Sequence, residues 1–292
     1  MSERREKQST VLITGATDGL GRAAALLLAE RGYRVFAAGR SAEKRSQLDA
    51  LAREKKLPLE TLHMDVCDEQ SVNDGVALVL GKAGAIDVLI NNAGFAYVAT
   101  VEDMRMEDWR SQFETNFFGV IRVTQAVLPH MRERRQGRII MMSSVSGLVT
   151  PPTQGAYSAT KHAIEAMSNA LRHELYPFGI ATVLIEPGYI ATGIQQAAVD
   201  LSKQYEKEIN SGPYAKIYAS SLSGAKSSRA ASGTTAEDCA EIILRAIEAK
   251  DPKVRYGVTK VARLVKWSKR LLTDSAVDGI LRRRYGITRD SA

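Results

Sequence analysis

The chain has 292 residues, 45% hydrophobic and 25% charged, the ordinary balance of a soluble globular protein. Its longest apolar run, AAALLLA, is far short of the roughly 20 residues a membrane-spanning helix needs, and the charged opening MSERREKQST has no secretory pattern. Two cysteines, Cys67 and Cys239, and four scattered histidines offer no disulfide framework or metal cluster, so a cytoplasmic protein without a structural metal is expected.

The first apolar run, 10–14, predicts a strand, and Gly15, Gly19 and Gly21 separate it from a helix over 20–31. Glycines there permit a tight turn and let the backbone approach a pyrophosphate at a helix N-terminus. A strand–helix turn can also need glycine for itself, but a position at the opening of the first βαβ unit favours a dinucleotide. The second strand, 34–39, ends in AAGRS without the carboxylate that would bind a free ribose hydroxyl. Small Gly39 leaves room for a 2′-phosphate and Arg40 can bind one in bidentate fashion, although an ordinary surface arginine would look the same. Asp18 nearby counts against a phosphate; the balance favours NADP(H).

Helices over 42–55 and 69–83 then alternate with strands over 59–66 and 87–93, and a long helix is predicted over 107–133. On it Phe113, Phe117, Val120, Thr124 and Val127 form one stripe, and Asn116 falls inside it. A buried amide needs partners, so Asn116 either props a neighbouring backbone or holds a water near a site. The strand 138–144 ends at Ser144, and the carboxyl end of a strand is where an open α/β sheet binds its ligand. A helix over 157–176 and a strand over 181–187 follow. The Ser- and Gly-rich stretch 220–235 predicts a mobile loop before a helix over 236–249. The alternation as a whole predicts an α/β fold, a single doubly wound (Rossmann) parallel sheet of about seven strands with helices on both faces.

Tyr157 opens its helix and Lys161 lies one turn on, about 6 Å away. A cation at that range stabilises phenolate, so such a tyrosine can exchange a proton with a carbonyl/alcohol pair. The stretch YGVTK repeats the spacing at Tyr256 and Lys260. There the chain reads as a strand, along which four residues span roughly 13 Å, too far for the same effect. No serine stands thirteen residues before Tyr256, as Ser144 does before Tyr157.

Taken together, TG-x-x-x-G-x-G at Thr14 to Gly21, NNAG at Asn91 to Gly94, Asn116, Ser144, YSATK and PGYIAT (187–192) resemble the short-chain dehydrogenase/reductase family, over residues 9–258. The resemblance implies Tyr157 as acid/base, Lys161 as its tuner and ribose ligand, Ser144 as the group polarising the carbonyl, and Asn116 as support for a water. It implies cofactor contacts at Gly15, Thr17, Asp18, Gly19, Leu20, Gly21 and Arg40. Further contacts are implied at Asp65, Val66, Asn92, Ala93, Gly94, Pro187, Gly188, Ile190 and Thr192. GRS resembles the NADP(H)-preferring members, and the insertion 194–235 with the tail resembles the hydroxysteroid- and retinol-dehydrogenase-like branch, which implies a lipophilic substrate. A homodimer or homotetramer through the helices 107–133 and 157–176 is implied as well.

Three functions compete at this point: an NADP(H)-dependent oxidoreductase, a non-catalytic regulator sensing nicotinamide cofactor, and a binder of membrane or nucleic acid through a basic tail. Nucleic acid is not expected. Residues 253–289 hold eleven Lys or Arg against two Asp, a balance of +9 within a net charge of +7. In the extension 259–292, a helix over 260–272 would gather Val261, Leu264, Val265, Trp267, Leu271 and Leu272 on one arc, opposite Arg263, Lys266, Lys269 and Arg270. Either that arc closes over the substrate lobe, or it lies on an anionic membrane surface.

Overall fold

The apolar runs pair edge to edge in the computed structural model, which describes residues 8–190 and 194–289; side chains of 194–196, 225–226, 228–232 and 266–270 lie outside the described set. The strands are β1 (Thr10–Ile13), β2 (Arg34–Gly39), β3 (Leu59–His63), β4 (Val88–Asn91), β5 (Gly137–Met142), β6 (Ile180–Glu186) and β7 (Arg255–Gly257). They form one sheet in the order β3-β2-β1-β4-β5-β6-β7, every pairing parallel. The strand order reverses between β1 and β4, which opens a crevice at the carboxyl ends of the central strands.

Both faces of the sheet are covered, which is why β1 and β4 are buried along their length and apolar apart from Thr10 and Asn91. On one face α1 (Gly19–Glu30) and α10 (Ala236–Glu248) pack Ala24, Ala25, Leu28, Ile243 and Leu244 over Val11, Ile13 and Val35. On the other, α3 (Glu69–Ala83), α5 (Gly119–Arg134) and α6 (Gly155–Glu174) bring Val72, Val76, Val123, Val127 and Ile164 onto Leu12, Phe36, Leu89 and Ile139. Each of the larger side chains, Val, Leu, Ile or Phe, contributes about 1.5–3 kcal/mol by leaving water. The helix α2 (Ala42–Glu54) flanks β2 and β3, with Ser41 capping its first turn.

The helix expected over 107–133 is in three continuous pieces: α4 (Met106–Phe113), a π-helical turn Glu114–Phe118, and α5. The π turn inserts extra backbone into the helical ladder, as such turns commonly do beside functional sites, and it carries the fully buried Asn116.

The stretch 220–235 is not a loop over most of its length: α9 (Ala215–Ser232) runs through it before Thr235 caps α10. Tertiary packing overrides its Ser/Gly composition. Tyr218, fully buried, donates its hydroxyl to Asp103 Oδ2 at 2.8 Å and accepts the Thr100 N–H at 2.9 Å. Gly224 lets the Tyr285 ring approach so closely that a Cβ there would lie 3.1 Å from it. Ahead of α9 lie α7 (Ile194–Leu201) and α8 (Glu206–Ser211), and between them Tyr205 donates its hydroxyl to buried Asp108. Two phenols thus pin this lobe to α4 and to the chain just before it.

The tail forms α11 (Lys260–Leu271) and α12 (Asp274–Arg284). Closure of the α11 apolar arc over the lobe, one of its two alternatives, is not seen at these described side chains: Val261, Leu264 and Leu271 are 53%, 69% and 80% exposed, while Ala262 on the other side is buried. Ala262 is small enough to sit against Gly257 of β7, and that contact turns the arc outward. Tyr285 covers the lobe instead, 3% exposed, with its hydroxyl 3.4 Å from that of Tyr189 and its carbonyl accepting from Ser220. Trp267, Lys266, Lys269 and Arg270 are among the side chains outside the described set. Among the described residues no helix is long and apolar enough to cross a membrane.

Candidate active site

The β1–α1 turn is shaped by glycine. Gly15 has φ +61°, and a Cβ on Gly21 would lie 2.4 Å from both the Asn92 side chain and the Gly15 carbonyl. Asn92 Nδ2 donates to the Thr14 and Gly15 carbonyls at 3.0 Å each, and Thr14 Oγ1 accepts the N–H groups of Asn92 and Ala93. The Asn92 amide therefore braces the turn from the neighbouring strand. Asp18 caps α1, accepting the Gly19 N–H at 2.7 Å, ahead of Leu20 at the first helical turn.

At the end of β2 the space expected beside Gly39 is taken by Thr17, whose side chain a Cβ on Gly39 would meet at 2.6 Å. Arg40 is 64% exposed and 3.7 Å from Asp65. Lys44, not singled out by the sequence reading, pairs with Asp18 and is the leading cause holding that carboxyl below its usual range. The Asp18 charge that counted against a phosphate is therefore compensated locally, and Arg40 and Lys44 flank the N-terminus of α2. Its position in the first turn of a capped helix after GRS was the available signal.

The candidate catalytic groups meet where β5 ends. Ser144 caps the short turn Val145–Gly147 by accepting the Ser146 N–H at 3.1 Å. Tyr157 and Lys161 face it from the first turns of α6, with Lys161 Nζ 5.6 Å from the Tyr157 ring centre, close to the separation predicted by helical rise. Lys161 is 6% exposed and donates to the Met142 carbonyl at 2.7 Å. Burial lowers its pKa to about 8, and the nearby Glu165 carboxylate opposes the shift. Tyr157 does not show the lowering expected of it: burial raises its phenol above the usual value, and a hydrogen bond with Ser144 acts the other way. Desolvation of the phenolate outweighs a cation that sits beside the ring rather than at the oxygen.

Asn116 is held by a neighbouring backbone and by one hydroxyl. Its Oδ1 accepts the Phe95 N–H at 3.0 Å, and its Nδ2 donates to the Phe95 carbonyl at 2.8 Å and to Thr160 Oγ1 at 3.3 Å. This fixes the strand exit just past Gly94, whose Cβ would lie 3.1 Å from Asn116 Oδ1. Of the two roles open for a buried amide, the brace is visible in these bonds.

Around this core, Asp65 Oδ1 accepts the Cys67 N–H at 3.0 Å, and Val66 is buried against Gly119 of α5. The Pro187 carbonyl accepts the Val145 N–H at 2.8 Å, joining PGYIAT to the Ser144 turn. Gly188 sits against Thr259, Ile190 is buried, and Thr192 lies outside the described residues. The second Tyr–Lys pair is separate: Tyr256 accepts the Lys253 N–H from β7 and Lys260 begins α11 in solvent. Among the described residues no group of three or more His, Cys, Asp or Glu could hold a metal.

The family model described as short chain dehydrogenase matches residues 9–202. An uncharacterized oxidoreductase of Bacillus subtilis, YusZ, is 39% identical, covering 94% of this chain and 97% of its own. The NADPH-dependent 3-dehydrocapnine reductase of Ornithobacterium rhinotracheale is 34% identical over 92% of this chain and 94% of its own. A crystal structure of a short-chain dehydrogenase from Streptomyces avermitilis superposes with TM-score 0.76 at 27% identity, covering 98% of this chain and 99% of that one. Among structures of the same fold, three hold NADP, NADP+ or NADPH and one holds NAD. The seven-stranded parallel sheet is the fold of the structure it superposes on, and the chain belongs to the short-chain dehydrogenase/reductase family of oxidoreductases.

Proposed function

We propose that the protein is an NADP(H)-dependent oxidoreductase that interconverts a carbonyl and a primary or secondary alcohol on a lipophilic substrate. The observation that carries this reading is the meeting of Tyr157 with Ser144 at the carboxyl end of β5, with Lys161 buried behind the ring. A non-catalytic cofactor sensor would need the glycine turn but not that grouping, and the relatives are named as oxidoreductase and reductase.

The residues present fit a dinucleotide: Gly15 and Gly21 leave a cradle that a Cβ would fill, at the N-terminus of α1. Thr17, Leu20, Asn92, Ala93, Pro187, Gly188 and Ile190 would line it, with Asp65 and Val66 on the adenine side. Arg40 and Lys44 would meet a 2′-phosphate at the end of β2. When bound, the nicotinamide would supply or accept a hydride. Ser144 would donate to the carbonyl oxygen of the substrate. Tyr157, kept protonated by burial, would give its proton to the same oxygen as negative charge develops there. Lys161, charged below about pH 8, would stabilise the phenolate left behind. In the alcohol direction the same proton returns to Tyr157.

The exposed arc of α11, with basic residues beside it, supports seating on an anionic lipid surface, from which a lipophilic substrate could reach the site. Pairing of two copies through α5 and α6 is supported by Phe118, 48% exposed at the end of the π turn that leads into α5.

Tyr157→Phe preserves shape and removes the transferable proton, so turnover should collapse while cofactor binding survives; Tyr256→Phe should leave turnover nearly unchanged. Comparable losses in steady-state assays of the two variants would overturn the assignment. For the cofactor, kcat/KM should be higher with NADPH than with NADH. Arg40→Ala and Lys44→Ala should each narrow the gap by weakening NADPH alone. Because Arg40 is 64% exposed, its charged contact is expected at the lower end of such values, about ten-fold. Equal use of both cofactors by the unmodified enzyme would refute the preference. Finally, the protein should co-sediment with anionic but not neutral liposomes at low salt. Changing Lys266, Lys269 and Arg270 to Gln should weaken this visibly, each charge being worth about 1 kcal/mol at such a surface. No sedimentation of the unmodified protein would end the membrane reading.

A further inference from the structure

Behind the candidate catalytic residues lies a cluster of charges that the reaction outlined above leaves unused. Glu165 follows Lys161 by one turn of α6 and is 6% exposed. Ser143 Oγ, next in the chain to Ser144, donates to Glu165 Oε1. Arg255 reaches in from β7, its Nη1 meeting Glu165 Oε2 and also Glu186 Oε1 of β6, the latter at 2.7 Å. Its Nη2 contacts Asn169 Oδ1 of α6 at 3.5 Å. Glu186 is wholly buried and its Oε2 has no hydrogen-bond partner.

This cluster touches three of the segments that build the site. Ser143 adjoins Ser144 at the end of β5, Glu165 shares a helix face with Lys161, and Glu186 leads directly into Pro187 and Gly188. Its charges balance, with Lys161 and Arg255 against Glu165 and Glu186. A buried ion cluster is a weak source of stability, since apolar residues of similar volume often serve as well. Its placement against three functional segments at once points to positioning. We infer that Glu165, Arg255 and Glu186 form a charge clamp that positions Lys161, Ser144 and the Pro187–Gly188 segment and keeps the buried Lys161 ammonium charged. This rests on the reading of Tyr157 as the acid and Lys161 as its partner.

The electrostatics run the same way. Burial lowers Lys161, and the Glu165 carboxylate is the group that opposes this. Burial raises Glu165 in turn, and its hydrogen bond from Ser143 and the Arg255 guanidinium hold it toward its ionised form, while Glu186 acts against them. The charged and titratable groups facing this pair are Tyr157 on α6, Glu186 from β6 and Arg255 from β7. Ser143 and the Met142 carbonyl complete the surroundings from β5.

The test reads Lys161 directly and needs no turnover. The full chain is labelled with 15N-lysine, and the Lys161 Nζ resonance, assigned by its loss in Lys161→Met, is titrated with pH. Glu165→Gln keeps the side-chain shape but removes the negative charge, and should move the titration to lower pH by about one unit. Arg255→Lys keeps the compensating charge and should titrate close to the unmodified chain. Loosened packing alone would rehydrate the ammonium and shift the titration to higher pH in either variant. An unchanged titration in Glu165→Gln, or a shift to higher pH in either variant, would overturn the clamp. Tyr157→Phe remains the separate test of the reaction, because it is read in turnover.

Discussion

A lysine ammonium held almost out of solvent is the constraint on which the rest of the site depends. Removing such a group from water costs several kcal/mol unless hydrogen bonds and opposite charge replace what water supplied. Lys161 receives the Met142 carbonyl from the end of β5 and the Glu165 carboxylate from its own helix. Both require α6 to cross the carboxyl end of the sheet at one height. The parallel pairing of β4, β5 and β6 supplies that height, because it brings Asn91, Met141, Met142 and Ile185 to a common edge. The same edge carries the Ser144 turn, joined by the Val145–Pro187 hydrogen bond to the segment after β6. A sheet built for packing thus sets the Met142 carbonyl of β5 and the Glu165 carboxylate of α6 around one cation.

Polar groups do comparable structural work farther out. Asn116, Asn92 and Thr14 each spend their side chains on backbone groups of neighbouring segments, so the loops that leave β1 and β4 cannot move independently. Tyr205 and Tyr218 tie the lobe over the site to α4 and to the chain just before it, through carboxylates of Asp108 and Asp103. Each of these bonds is worth about 1 kcal/mol net, but leaving a buried partner unpaired costs more, which favours one arrangement over its alternatives.

The sheet was legible because its strands are short apolar runs between helical periodicities, and β2 is found over the same residues that the pattern indicates. The Tyr157–Lys161 separation was legible because helical rise sets it locally. Features that depend on contacts distant in sequence were not. The stretch 220–235 reads as a loop by composition, and it is helical because Tyr218 and Gly224 find partners 60 or more residues away. The outward turn of the α11 arc depends on Ala262 meeting Gly257 rather than on any periodicity. Lys44 and the Glu165–Arg255–Glu186 cluster escaped because each residue looks ordinary until β2, β6 and β7 bring the partners together. The glutamate one turn after Lys161 was a local signal that could have been used.

The central claim is that this centre turns over a carbonyl, and one assay addresses it. The unmodified protein would be given NADPH and a panel of ketones and aldehydes graded from small and polar to long-chain and apolar. NADPH oxidation would be followed together with the alcohol formed. The account predicts one alcohol formed per NADPH consumed, with kcat/KM rising toward the apolar end of the panel. Tight NADPH binding with no alcohol from any member of the panel would contradict it and return the fold to the role of a cofactor sensor.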